Sequence, residues 1–439
     1  MRRTVLAKQF MTENQTRSFL ALVWGHRLFR DDQLEVGEVG ECAVEHPGYA
    51  AETAADSDAS IPSPDFAQAA VRIGATTLYG AVRVDGRAST WRDGGRMSDP
   101  AFDSVAFHVV GERDRVLVRN GREVPTLVLK PSEGLVGWYA ESLATAAEGR
   151  GGACAEFFGG LAGVEQGQIV SRLLADRLRR KTAEVERLRA DLGGDWDETA
   201  YVCYLRSLGM GDQKRSYEAL ARSIPLRCFV RCGGDVRQAE ALLLGQSGYL
   251  SGVFEAEPAV RQWQDIYLSL NKEYGLLRPV VSWAGAGVRP VSLPSTMLLR
   301  AAALLVRATQ LSERVREAAM QGMTALRELF GGAEQGMSVQ KVDLRIINFV
   351  IPLLTAMGRA TRDTGLQERA LVLYDEVAPE SNRYTRMWAG AFRPESASDS
   401  QALIQLSTEY CARGRCADCP VGVLRAVRLW RGLKGVGVK

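Results

Sequence analysis

Hydrophobic positions divide the chain into a shorter N-terminal part with strand-like runs and a longer part with helical periodicity. Residues 14–30 carry apolar side chains at helical spacing, which predicts an amphipathic opening helix. Short β-type runs follow at 70–73, 77–84, 105–110, 116–118 and 124–129. The last two flank Asn120-Gly121, a dipeptide typical of hairpin turns. The pattern predicts a small α+β domain over residues 1–132 with a mixed, mainly antiparallel sheet.

From about residue 135 the apolar positions recur every three or four residues, which is typical of helices. Helices are predicted at 198–209, 213–223, 236–247, 259–274, 295–330, 339–359, 364–377 and 400–411. The fold class is therefore predicted to be α+β, with a small N-terminal sheet domain followed by a large, mainly α-helical domain at 133–399. Residues 400–439 form a third predicted part, a helix followed by a cysteine-rich basic tail.

Composition places the chain among ordinary globular proteins, since 46% of its 439 residues are hydrophobic and 24% are charged. Its formal net charge of +3 is too small to indicate nucleic acid by itself. The charge is uneven, because seven Lys or Arg lie from Arg413 to the end against the single acid Asp418. A basic tail suits phosphate contacts, and a solvated terminal helix is the alternative interpretation.

The cytoplasm is the expected location, because the sequence shows neither a membrane span nor a secretory signal. No apolar stretch is long enough to span a bilayer, and the start Met1-Arg2-Arg3 lacks the apolar core of a secretory signal. We therefore expect no membrane partner, and thiols that are free or metal-bound rather than paired in disulfides. Met11 begins a segment typical of a natural first helix, so Met1 and Met11 are both candidate starts.

Three cysteines lie within nine residues, Cys411, Cys416 and Cys419, in a loop that contains Gly414 and ends at Pro420. Thiolates at this spacing can converge on zinc or an iron–sulfur cluster, with a fourth ligand from elsewhere in the chain. The segment resembles the iron–sulfur loop of helix-hairpin-helix DNA glycosylases, although that loop has a longer first gap and a fourth cysteine soon after the third. The alternatives are ordinary packed and loop thiols, or a redox pair of Cys416 with Cys419.

Several segments resemble a bacterial family known as a domain of unknown function. They are His46-Pro47-Gly48, Pro64-Asp65-Phe66, residues 99–110, 120–127, 240–246, 346–350 and 400–406. The resemblance covers nearly the whole chain, and it implies a family without implying an activity.

The N-terminal part also resembles restriction-endonuclease-like nucleases, which hold a divalent cation with an Asp after a Pro and an acid on the following strand. Here Pro64-Asp65 corresponds to the first acid. The resemblance implies that Arg83 replaces a Glu and that Asp85 replaces a His, and a cation at that position works against metal binding. The candidate catalytic residues are Asp65, Asp85 and Asp99 in a rearranged site. Alternatively, Asp65 caps a turn, Asp85-Gly86 is a hairpin turn and His108 is packed in the sheet.

Three functions follow from these features. The first is binding of DNA or RNA without nuclease activity, by the candidate residues Arg83, Arg87, Arg92, Arg413 and Arg415. The second is a structural or protein-interaction module built on the helical domain, with a protein partner. The third is a metal-dependent phosphodiester hydrolase with a rearranged acidic site.

Overall fold

The structure is a computed structural model that describes residues 11–36, 42–50, 64–147, 152–251, 258–283, 293–307, 309–331 and 338–436. The candidate start at Met1 lies outside these residues. Contacts divide the chain into two compact units, Met1–Arg177 with Glu380–Lys439, and Leu178–Pro379. The sheet and the cysteine-rich segment thus fall in the same unit. The predicted boundaries at 132 and 399 stay predictions.

The first unit opens with helix α1 (Glu13–Gly25), where the amphipathic pattern predicted a helix. Its start is fixed by a capping box, because Thr12 Oγ1 accepts from the Gln15 N–H at 3.3 Å and Gln15 Oε1 accepts from the Thr12 N–H at 2.9 Å. The buried face of α1 that packs toward the sheet comprises Phe19, Leu20, Leu22, Val23 and Trp24.

Nine strands are described in this unit. They are β1 (Leu34–Val36), β2 (Cys42–His46), β3 (Tyr49–Ala50), β4 (Phe66–Ile73), β5 (Thr76–Arg87), β6 (Val105–Glu112), β7 (Val118–Arg119), β8 (Arg122–Glu123) and β9 (Thr126–Leu129). Seven form one sheet in the order β1-β9-β6-β5-β4-β2, with β3 paired to β4. β7 and β8 form a separate hairpin around Asn120 and Gly121, whose φ angles of 50° and 76° suit a turn of this kind.

The sheet is mixed, as predicted, and its centre is parallel. β5–β6 and β6–β9 run parallel, and the other pairings described in this sheet are antiparallel. Parallel neighbours need a crossover, and between β5 and β6 it contains the short helix α2 (Ala88–Asp93). Alternation of apolar residues does not reveal strand direction, so the sequence did not predict this feature.

The remaining helices follow the predicted pattern with local changes. Their bounds are α3 (Glu133–Ala147), α4 (Gly152–Gly159), α5 (Gly163–Asp191), α6 (Trp196–Leu208), α7 (Gln213–Ser223), α8 (Leu226–Arg231), α9 (Val236–Gln246), α10 (Pro258–Tyr274), α11 (Pro294–Leu305), α12 (Leu311–Gln321), α13 (Met323–Gly331), α14 (Val339–Arg345), α15 (Ile351–Thr361), α16 (Thr364–Glu376), α17 (Arg383–Arg386), α18 (Ala397–Gln405) and α19 (Pro420–Val436). The single predicted helix at 295–330 is three helices, and Gly322 at φ 120° separates the last two. None of the helices in the described ranges is both long and apolar enough to cross a bilayer.

Two hydrophobic clusters place the candidate site within the first unit. One joins α1, the sheet, α3 and α19, and it includes the loop residues Cys416 and Ala417. The other covers the region of α2, where Trp91 and Phe102 pack beside β6. The cysteine loop is therefore packed into the same core that supports the sheet.

Candidate functional site

Asp65 immediately precedes β4 and joins α1 to the sheet. Its Oδ2 accepts from the Val84 backbone N–H at 2.8 Å, and its Oδ1 accepts from the Arg17 guanidinium. Its own N–H donates to the Val82 carbonyl at 2.9 Å, which fixes the start of β4 against β5. Asp65 therefore anchors a strand and a helix rather than capping an isolated turn.

Asp85 lies inside β5, opposite Val110 of β6, and its side chain is fully buried. The expected hairpin turn at Asp85-Gly86 is wrong, because the strand continues to Arg87. Asp85 accepts from Arg83 Nε at 2.9 Å and Nη2 at 2.5 Å, and its Oδ2 lies 3.1 Å from His108 Nε2. Both carboxylate oxygens are thus engaged by neighbouring side chains.

Arg83 occupies the space between the two carboxylates. Besides its two bonds to Asp85, its Nη1 lies 3.5 Å from Asp65 Oδ2. Arg83 is only 2% exposed, and its guanidinium is held inside the unit by the two carboxylates. Its contact with nucleic acid stays a prediction. His108 is a fully buried residue of β6, as the packed-sheet interpretation expected.

The pair of Arg83 and Asp85 is charged at neutral pH. Burial by itself would raise the pKa of Asp85, but hydrogen bonds from His108 and Arg83 and the Arg83 charge hold that pKa below its ordinary value. Burial alone would lower the pKa of Arg83, and its hydrogen bond to Asp85 with the two nearby carboxylates raises it instead. Each buried charge is therefore compensated by the other.

Asp99 has a different role from Asp65 and Asp85. Its Oδ1 accepts from the Ala101 N–H at 2.9 Å and caps the 3₁₀ turn Pro100–Phe102, while its carbonyl accepts from Arg119 Nη2 at 2.7 Å. Among the residues that the structure describes, no group of three or more His, Cys, Asp or Glu side chains is arranged so that it could hold a single metal ion, which applies to the cysteines as well as to the aspartates. The three aspartates are thus not gathered around one ion.

Two residues of α1 belong to this site and were missed from sequence. Glu13 Oε1 accepts from the Gly86 N–H at 2.8 Å and from Thr90 Oγ1 at 3.1 Å, and Arg17 Nε donates to the Val84 carbonyl at 3.1 Å. These contacts join positions more than sixty residues apart, so no local pattern signals them. We call Glu13, Arg17, Asp65, Arg83 and Asp85 the charged network.

The other predicted arginines are more exposed. Arg87 follows Asp85 at the end of β5 and lies 3.4 Å from Glu112, with both side chains more than 60% exposed. Arg92 lies on the exposed surface of α2. Arg413 pairs with Glu409 at 2.9 Å, and Arg415 pairs with Asp418 at 3.1 Å. Exposed ion pairs such as those of Arg87 and Arg415 contribute about 0–1 kcal/mol, so phosphate can compete for these two arginines.

The predicted cysteine ligands meet at one cavity. Cys411, Cys416 and Cys419 line it together with Cys154 of α4. The sequence had not indicated a role for Cys154. The cavity encloses about 400 Å³ of empty space, a volume that includes its open mouth. Its other walls are mostly apolar and include Ala146, Trp388, Leu406 and Val421. We call this the cysteine cavity.

The backbone around the cysteine cavity is shaped by two glycines. Gly414 has a φ of 61°, which lets the loop reverse direction after the 3₁₀ turn Cys411–Arg413. A Cβ on Gly422 would lie 2.2 Å from the Cys416 carbonyl oxygen, so only glycine allows the start of α19 to approach the loop. The close approach brings the Val421 and Gly422 N–H groups onto the Cys419 sulfur.

Burial keeps the thiols of the cavity protonated in the absence of a metal. It raises the pKa of Cys416 and of Cys419 to about 12, with the neighbouring thiols as smaller causes. Burial also raises the pKa of Cys411, followed by the neighbouring Cys419, Cys154 and Cys416. All eight cysteines are free thiols in the structure, as expected.

The loop that carries three of the four cysteines packs against helix α1, which also supplies two residues of the charged network. Tyr139 Oη donates to the Gln15 carbonyl at 3.2 Å, and a Cβ built on Gly414 would lie 3.6 Å from the Gln15 side-chain nitrogen. Gln15 lies two residues from both Glu13 and Arg17 on the same helix. The loop that carries Arg413 and Arg415 therefore packs against the helix that completes the charged network.

Comparison with known proteins identifies a family and no described relative. A family model described as a protein of unknown function (DUF2851) matches residues 17–383, which include Asp65, Arg83, Asp85 and Cys154. No curated protein and no solved structure matches the chain.

Proposed function

The chain belongs to the family of proteins of unknown function DUF2851, and we propose that it binds nucleic acid without hydrolysing it. The observation that carries this proposal is the guanidinium of Arg83 between the Asp65 and Asp85 carboxylates. In restriction-endonuclease-like nucleases, which the N-terminal part resembles, acids at such positions hold the catalytic cation. Here an arginine supplies the positive charge instead.

Hydrolysis is disfavoured by charge and by the occupation of the oxygens. Arg17 and Arg83 balance the charges of Asp65 and Asp85. The third acid of the charged network, Glu13, already accepts hydrogen bonds from the Gly86 N–H and from Thr90. Mg²⁺ needs several oxygen ligands at about 2.0–2.1 Å. Every oxygen of the Asp65 and Asp85 carboxylates already accepts a hydrogen bond. A cation would have to displace the buried guanidinium of Arg83 from both carboxylates.

Nucleic-acid binding is supported by the arginines around the charged network. Arg87 and Arg92 follow the buried end of β5, and Arg413 and Arg415 lie on the loop packed against α1. Arg87 and Arg415 can exchange a weak surface pair for phosphate, because their partners Glu112 and Asp418 are about half-exposed or more. Arg92 is itself exposed, whereas Glu409, the partner of Arg413, is largely buried. The guanidinium fork favours two-point phosphate contact.

Fluorescence anisotropy with labelled duplex and single-stranded DNA and RNA tests the proposal. Three phosphate contacts, by Arg87, Arg92 and Arg415, predict that log affinity for duplex DNA falls with log salt with a slope of about −2.7, which is roughly a 40-fold loss over a fourfold rise in salt. The same samples, incubated with Mg²⁺ or Mn²⁺, should show intact nucleic acid. No binding at low salt would contradict the proposal and favour the protein-interaction function, and metal-dependent cleavage would favour the hydrolase.

Two exposed arginines provide matched variants. Arg92→Ala and Arg415→Ala should each reduce the magnitude of the salt slope by about 1 without changing folding. Arg72→Ala is the control, because Arg72 is half-exposed, lies 3.9 Å from Glu45, and is near the opposite end of the β4–β5 hairpin from Arg87. Equal reductions of the salt slope in all three variants would indicate non-specific charge effects and would contradict the proposal that Arg92 and Arg415 contact nucleic acid.

A further inference from the structure

We propose that Cys154, Cys411, Cys416 and Cys419 together ligate one iron–sulfur cluster in the cysteine cavity. Four of the chain's eight cysteines line this single cavity, and they come from α4, the 3₁₀ turn, the loop after it and the residue before α19. Four thiolates are the usual ligand set of both two-iron and four-iron clusters. Cys154 thus supplies the fourth ligand that the C-terminal segment lacks.

The arrangement of the thiols favours a cluster over a single zinc ion. Four thiolates around one zinc, at Zn–S distances of about 2.3 Å, hold their sulfurs roughly 4 Å apart. Within the described part of the chain, no three such side chains are placed so that they could hold one metal ion, although all four thiols line the cysteine cavity. In a cluster the thiolates bind separate irons, and inorganic sulfide fills the space between them.

The surroundings of the cavity suit an anionic group. The Val421 and Gly422 N–H groups at the N-terminus of α19 point at the Cys419 sulfur, where the helix dipole also favours negative charge. On the opposite side Arg425 Nη1 lies 3.8 Å from the Cys154 sulfur. Hydrogen bonds to the ligand sulfurs and a nearby cation are the features that stabilise a reduced cluster.

The apolar walls of the cavity favour the stability of a bound cluster. Trp388, Leu406 and Ala146 of α3 are among the apolar residues that line the cavity. Such walls limit the access of water and dioxygen to the metal centre. Cys416 and Cys419 are themselves less than 10% exposed.

Insertion of a preformed cluster into the cysteine cavity requires no redox change in the protein. Four thiols lose four protons to solvent, and their thiolates displace the ligands of a preformed cluster, so that four bonds between cysteine sulfur and iron form as four bonds to the donor's ligands break.

Anaerobic purification followed by iron, sulfide and zinc analysis tests the inference. The expected result is two or four irons with matching sulfide per chain, and a broad visible absorption that bleaches with dithionite. One zinc per chain without sulfide would overturn it, and so would failure to take up iron and sulfide during anaerobic reconstitution of folded protein.

Cys154→Ser tests the fourth ligand against Cys42→Ser as a matched control. Both are cysteines of the first unit, but Cys42 is a buried residue of β2 away from the cavity lining. We expect Cys154→Ser to lose most of its iron or the oxygen stability of its cluster, and Cys42→Ser to retain both. Circular dichroism verifies folding, and reconstitution of the purified apoprotein is the second readout. A Cys154→Ser protein with unchanged iron, sulfide and spectrum would overturn the assignment.

Discussion

Replacement of Asp85 by Asn removes the partner of a buried arginine. Asp85 is completely buried and Arg83 is 2% exposed, so water cannot replace the lost bonds. The Asn amide keeps the shape but turns a donor toward either Arg83 or His108. Breaking a buried ion pair in this way costs about 3–5 kcal/mol. In a unit of this size that corresponds to a fall in Tm of roughly 6–20 °C.

The companion variant separates the cost of an unpaired charge from the loss of the pair itself. Arg83→Met combined with Asp85→Leu removes both charges, so it should be more stable than Asp85→Asn alone. Asp65 keeps Arg17 and the Val84 N–H in this double variant. Asp32→Asn is the surface control, because Asp32 is 72% exposed and pairs only with Arg30 at 3.5 Å; its effect should stay within about 0.5 kcal/mol.

Thermal unfolding and hydrogen exchange of peptides from β5 and β6 measure these effects. Exchange in Asp85→Asn should accelerate most in the two strands that meet at Arg83 and His108. A loss in Asp85→Asn below about 1 kcal/mol, or equal losses in the single and double variants, would refute the view that Arg83 is held by compensated charge.

The remaining predictions concern pH and two close glycine contacts. Because the pKa of Asp85 is depressed in the folded protein, its contribution to stability is present above its ordinary pKa of 3.8 and is lost as the pH falls through the folded pKa. The free energy of unfolding, measured at decreasing pH, should show this loss in the wild type and a smaller loss in Asp85→Asn. Gly422→Ala would press a methyl group against the Cys416 carbonyl and should lower iron content and Tm, whereas Gly432→Ala, exposed on the same helix with nothing within 4 Å, should be neutral or stabilising by about 0.5–1 kcal/mol. Gly245→Ala would place a Cβ 2.1 Å from the Tyr267 ring and should destabilise the second unit by about 1–3 kcal/mol in denaturant unfolding, while Gly167→Ala, which meets nothing within 4 Å, serves as its control.

The periodicity of apolar residues was sufficient to predict the fold class and most helices. It failed where the structure depends on partners remote in sequence. The direction of β6 and β9 is set by crossovers rather than by alternation, and β1 to β3 are too short to give a clear pattern. Helix 295–330 was predicted as continuous because its break at Gly322 interrupts the apolar pattern only slightly.

In the candidate site, too, residues in local motifs could be predicted from the sequence, and residues that only folding brings together could not. Sequence alone identified Asp65 and three of the four cysteines of the cavity, since these lie in recognisable local motifs. It did not indicate Glu13, Arg17 or Cys154, because only the folded chain brings them to the site. Arg83 was recognised as a cation at an acidic position, but its burial follows from the two strands that enclose it.

An anomalous difference map from crystals grown without oxygen and soaked in Mn²⁺ locates the metals bound by the first unit. That unit should bind metal through its cysteines and none through its aspartates. We predict iron density among Cys154, Cys411, Cys416 and Cys419, and no manganese beside Asp65 or Asp85. Manganese bound between those two carboxylates, or a cysteine cavity without iron in reconstituted protein, would contradict the account.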